Sequence, residues 1–122
     1  MRLLEARERM DALNRKVAFA LGWVEKGVGW WISPKGVGHS WHPSFCTSAN
    51  GAESVREGFR VRGIGYREEF LPKLPGVREK DMLCVHWNRG FGMACDTHWG
   101  PPDTFEALCE AFVAATKGEC EL

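Results

Sequence analysis

The chain reads as one α+β domain, a small antiparallel sheet of about four strands covered by three helices. Three observations predict this. At 122 residues and 44% hydrophobic content, the chain can bury a core without disulfide or metal staples. Three stretches repeat their apolar residues at helical spacing, and two period-two runs, residues 82–88 and 93–99, flank the turn Arg89-Gly-Phe-Gly92 as a β-hairpin. The order helix, short strand with an aromatic-rich loop, helix, strand, hairpin, helix suits a sheet with helices packed against it.

The first helix is expected over about residues 3–21, with Met10, Leu13, Val17 and Leu21 on its apolar stripe and Gly22 as its stop. Trp23-Val24 and Trp30-Trp31-Ile32 bracket a glycine-containing turn and read as a short strand pair ended by Ser33-Pro34. Residues 33–48 are rich in Gly, Ser, His and Pro and read as a loop. Ser48 or Asn50 caps a second helix to about Arg62, with Ala52, Val55 and Phe59 inward. Residues 64–71 make a weaker strand, because Glu68-Glu69 break its alternation and Gly65 weakens it. A turn-rich connector over 72–81 leads into the hairpin. Asp103 and Glu106 have capping-box spacing for a third helix whose core face is Phe105, Leu108, Cys109, Phe112 and Val113. Gly118 should end it, leaving 118–122 as a frayed tail.

Hairpin register decides what the 82–99 stretch can do, because a one-residue slip moves every side chain of a strand to the opposite face. With Asn88 opposite Met93, one face carries Cys84, His86 and Cys95. With Trp87 opposite Met93, Leu83, Val85, Trp87, Met93, Cys95 and Trp99 share one face and Cys84, His86, Asp96 and His98 the other. The second register buries more apolar surface and is the one expected. Its Cys, His, Asp and His are ligand and acid/base types, so that face reads as a half-solvated polar surface or, alternatively, as a metal or small-ligand site. Cys84 and His86 would stand about 7 Å apart at Cβ, too far for direct contact unless both reach inward. His39-x-x-His42 followed by Cys46 offers a further set of zinc ligands in the 33–48 loop.

Composition removes several function classes. Sixteen basic and sixteen acidic residues cancel, leaving no global field for nucleic acid or an anionic membrane. Arg56, Arg60, Arg62 and Arg67 are the residues available for a local basic patch, but no stacking-aromatic nucleic-acid motif accompanies them. Five scattered cysteines without a C-x-x-C pair argue against a disulfide framework or a zinc ribbon and fit a reducing cytoplasm. The charged N-terminus is unlike a signal peptide, and no apolar run is long enough to span a bilayer. Four G-x-G triplets lack the third glycine of a dinucleotide loop and the Gly-Lys-Ser/Thr of a P-loop, so they read as turns. The local signatures of hydrolases, metalloproteases and zinc deaminases are absent too, and no catalytic set is expected.

Six tryptophans are several-fold above ordinary usage, and a small domain does not readily bury all of them. Trp30 and Trp31 are adjacent and must point to opposite faces of a strand. Trp30, Trp31 and Trp41 are therefore the residues expected to offer an aromatic surface to a protein partner.

The chain also resembles the small tailed-phage proteins built on the phage ABA-sandwich domain. The likeness is carried by Met10-Asp-Ala-Leu-Asn-Arg-Lys-Val17 leading to Leu21-Gly-Trp23, by Cys46-Thr-Ser-Ala-Asn50, and by Pro101-Pro-Asp-Thr-Phe-Glu-Ala-Leu-Cys-Glu-Ala-Phe112. It implies phage or prophage origin and a place in the host cytoplasm, with no catalytic residues to transfer. The expected role is a non-catalytic accessory protein that binds a host or phage protein, for instance inhibiting a host enzyme or a defence system such as CRISPR. The alternative is a metal- or small-ligand-binding domain. No cofactor is expected in the first case and zinc in the second.

Overall fold

The computed structural model describes residues 2–88 and 96–120, with side chains described for 5–88 and 96–116. In chain order the elements are α1 (Arg2–Leu21), β1 (Val24–Glu25), β2 (Trp31–Ile32), β3 (Gly38–His39), α2 (Ala49–Val61), β4 (Gly65–Leu71), β5 (Met82–Asn88), β6 (Asp96–Gly100) and α3 (Glu106–Cys120). The α+β class is as the sequence predicts, but among the described residues six strands form two three-stranded antiparallel sheets, β1-β2-β3 and β4-β5-β6, instead of one sheet of about four. Strands of two residues carry no readable period, which is why β3 lay hidden in the expected 33–48 loop.

Leu13, Val17 and Ala18 bury the inner stripe of α1, while Met10 and Leu21 pack at its margin. Gly22 terminates α1 at φ +100°, where Trp23 N–H reaches back to the Ala18 carbonyl at 2.9 Å. Such a left-handed closing residue favours glycine, which lacks the Cβ that would clash. Ser48 caps α2, its hydroxyl accepting the Gly51 N–H at 2.9 Å, and Ala52, Val55 and Phe59 are fully buried.

Two expectations for α3 are corrected. Its first intrahelical bond runs from Cys109 N–H to the Phe105 carbonyl, so the helix begins at Glu106, after the expected Asp103 cap. Phe105 donates its own N–H to the Cys46 carbonyl at 2.7 Å, and this tertiary bond sets where the helix starts. The helix also passes through Gly118 to Cys120, since an interior glycine costs only about 1 kcal/mol relative to alanine and does not compel a stop. Of the expected frayed tail, residues 121 and 122 lie outside the described residues.

The hairpin register also differs from expectation. Val85 stands opposite His98, His86 opposite Thr97 and Trp87 opposite Asp96. The expected turn Arg89-Gly-Phe-Gly92, with Met93 and Cys95, lies outside the described residues. Tyr66, Glu68, Leu83, Val85, Trp87, Asp96 and His98 share the face that meets the helices, and Arg67, Glu69, Cys84, His86, Thr97 and Trp99 share the other. Cys84, His86, Asp96 and His98 therefore do not form one face. The cause lies at Gly100, which stands on the helix side with the Ala107 backbone nitrogen 3.1 Å from where a Cβ would be. Only glycine fits there comfortably, and strand alternation then turns Trp99 outward.

The core lies between the helices and the inner face of β4–β6. Phe59 stacks on Tyr66 at 4.7 Å and meets the edge of Phe112 at 5.2 Å, while Leu108, Cys109 and Phe112 on α3 are fully buried. Among the described residues no helix is long and apolar enough to cross a membrane.

Candidate functional site

Two groups of residues stand out. The first is aromatic and sits on the β1–β3 sheet. Trp31 is only 3% exposed, packed against Phe19 and edge-on to His42, so it belongs to the core and not to a docking surface. Alternation turns Trp30 the other way, where it is 45% exposed and lies across Gly38. His39 is held between Trp23 and Trp41 at centroid distances of 5.5 and 5.2 Å, and Trp41 is 56% exposed. Val28 and Val37, in the turns beside these strands, are exposed as well.

Among the described residues, His39, His42 and Cys46 do not bring their ligand atoms within 4.8 Å of one another. His39 is enclosed by indoles, while the ring of His42 lies between Trp31 and Phe45 with Nδ1 3.1 Å from the Pro43 carbonyl oxygen. Cys46 is fully buried behind them.

The second group is polar and lies on the outward face of β4–β6. Cys84 Sγ is 3.4 Å from His86 Nε2, which is 3.2 Å from Glu69 Oε1. The Cβ spacing expected to keep Cys84 and His86 apart is bridged because the imidazole lies back along the strand toward the sulfur. On the far side of the ring, His86 Nδ1 is 3.0 Å from Thr97 Oγ1. Glu69 faces Cys84 across the β4–β5 ladder, and Trp99 faces it across β5–β6. Cys84 is fully buried at the centre of this face, and its thiol is pushed up first by burial and then by the Glu69 charge, with Arg67 opposing.

Asp96 and His98 lie on the helix side. His98 Nε2 is buried and 3.7 Å from Asp96 Oδ2, without a hydrogen-bond partner among the described residues. Glu69 was the residue missed by sequence reasoning, although a signal existed in the Glu68-Glu69 pair that interrupts the β4 alternation. The two carboxylates serve opposite faces: Glu68 pairs with Arg56 of α2 at 2.8 Å, and Glu69 points to His86.

The arginines expected to offer a basic patch are engaged with acids or backbone. Arg56 binds Glu53 and Glu68, Arg60 binds Glu57, and Arg67 lies 3.9 Å from Glu69. Arg62 donates to the Ala20 and Gly58 carbonyls.

No protein-family model, curated protein or solved structure matches the chain.

Proposed function

We propose that this chain is a non-catalytic binding protein that engages a protein partner through the aromatic surface of β1–β3, with Trp30 and Trp41 as anchors. The observation that carries this reading is the exposure of both indoles beside one small sheet, Trp30 lying over Gly38 on one face and Trp41 against His39, whose side chain points to the other. Tryptophan is the residue type most enriched at interface hot spots, because a large rigid ring buries much area at little entropic cost. His39, itself packed on Trp23, braces Trp41, which lowers the ordering cost of binding further. The likeness to phage ABA-sandwich proteins supports a phage or prophage accessory role in the host cytoplasm, the partner being a host enzyme or a defence complex.

The test is affinity capture from the natural host with the native chain and with a Trp30→Ala/Trp41→Ala variant of unchanged circular dichroism. A partner should be retained by the native chain, with its affinity reduced at least about 30-fold in the variant, equivalent to a hot-spot loss of about 2 kcal/mol. Equal retention by both proteins, or no partner with either, overturns the reading.

A further inference from the structure

We propose that Glu69, Cys84 and His86 form a binding site for one divalent cation of borderline-soft character, zinc being the best fit, on the outward face of β4–β6. This is independent of the aromatic surface, which lies on the other sheet.

Two of the three ligand separations are those of a zinc centre. In a tetrahedral zinc centre with bonds of about 2.3 Å to sulfur and 2.0–2.1 Å to nitrogen or oxygen, ligand atoms are separated by about 3.3–3.6 Å. Cys84 Sγ to His86 Nε2 is 3.4 Å and His86 Nε2 to Glu69 Oε1 is 3.2 Å. All three ligand atoms lie within 4.8 Å of one another, and among the described residues this is the one group of His, Cys, Asp and Glu that meets that condition.

Proton bookkeeping leaves room for a cation at the centre. A carboxylate accepts hydrogen bonds and donates none, and a neutral imidazole carries one proton on its two nitrogens. Thr97 Oγ1, 3.0 Å from Nδ1, can accept that proton and leave the Nε2 lone pair facing both Sγ and the Glu69 oxygen. The ring is then presented as metal-binding histidines are, with the far nitrogen fixed by an outer partner. One thiolate and one carboxylate balance a 2+ ion, while the sulfur excludes hard cations such as magnesium as good tenants. The Arg67 guanidinium, 3.9 Å from Glu69 Oε1, is on a largely exposed side chain free to swing away. Glu69 is partly exposed, which leaves the fourth coordination position to water.

The trio spans two strands that are zipped in full register, so the ligands are held by the ladder and not by a loop. Cys84 and His86 are alternate residues of β5, and Glu69 is the direct cross-strand partner of Cys84.

The test uses the untagged chain equilibrated with Zn²⁺ or Co²⁺ alone and then freed of loose metal. One zinc per chain is expected, and the cobalt form should show thiolate-to-cobalt charge-transfer absorption. Cys84→Ser should abolish that band, and Glu69→Gln should weaken affinity at least tenfold. Thr97→Val should weaken it by about 10–100-fold at unchanged stoichiometry. His39→Ala/His42→Ala should alter neither band nor stoichiometry. Absence of the charge-transfer band in the native chain overturns the proposal, as does metal uptake indifferent to Glu69→Gln or lost in His39→Ala/His42→Ala. Because Glu69 is partly exposed on an edge strand, its glutamine variant decides the matter even if Cys84→Ser disturbs folding.

Discussion

The side-chain carbonyl of Asn14, on α1, accepts the backbone N–H of Cys46 at 2.9 Å inside the core, 32 residues along the chain. Cys46 is a junction. Its carbonyl accepts the Phe105 N–H at the head of α3, and the neighbouring Cys46 thiol, together with burial, pushes the Cys109 thiol up. Asn14 of α1 and Phe105 at the head of α3 thus meet at one residue, through polar bonds that the surrounding apolar groups keep dry.

Asn14→Leu should therefore destabilise by about 1–3 kcal/mol, since it orphans the buried Cys46 N–H at an otherwise well-packed position. Chemical denaturation reads this as a lower midpoint at unchanged slope. A midpoint equal to that of the native chain would show that the bond contributes nothing net.

Gly51→Ala tests the same junction from the α2 side. Alanine is ordinarily the better helix former by about 1 kcal/mol. Here an added Cβ would stand 2.7 Å from the Ser44 carbonyl oxygen and 2.8 Å from Phe45 Cα, both main-chain atoms that cannot swing aside. Overpacking of about 1–3 kcal/mol should outweigh the propensity gain, so the thermal midpoint should fall.

The parts of the fold that were legible in the sequence are those governed by neighbours three or four residues away. Ala52, Val55 and Phe59 had the spacing of a buried stripe and are buried; Leu108, Cys109 and Phe112 likewise. Cys84 and His86 were legible as partners on one face because they are alternate residues of one strand. What failed depends on pairs far apart in sequence. Maximising apolar burial within the hairpin put Trp99 inward, whereas the approach of α3 at Gly100 sends it outward, where it is 49% exposed. Glu69 joins Cys84 only through the β4–β5 register, and no local pattern reports that pairing. Helix α3 starts where Cys46 holds Phe105, so its cap could not be found from its own residues.

Glu110 gives a pH-dependent prediction. Burial and the neighbouring Glu106 charge one turn earlier raise its pKa, with His98 and Arg9 only partly offsetting them. A carboxyl whose folded pKa is raised penalises the fold above that pKa. The penalty fades as pH falls through the folded value toward the ordinary glutamate value. Glu110→Gln should thus stabilise at neutral pH, by about 0.2–0.5 kcal/mol from the lost i,i+4 repulsion alone. The gain over the native chain should shrink on acidification, which paired thermal melts across that range will show. A gain that is constant with pH would mean the charge is not its source.

Gly38→Ala separates the placement of Trp30 from its chemistry. The backbone at Gly38 is ordinary extended strand, so alanine meets no conformational strain there. Its Cβ would, however, stand 2.6 Å from Trp30 Cζ2, and the indole must move off the strand to make room. Because Trp30 is half exposed, this displacement should change stability by no more than about 0.5 kcal/mol. Partner affinity is another matter, since a hot-spot ring contributes only where it meets its pocket. Gly38→Ala should therefore weaken partner capture nearly as much as Trp30→Ala while melting like the native chain. Full capture by Gly38→Ala, with loss in Trp30→Ala, would show that the ring finds its pocket without support from β3.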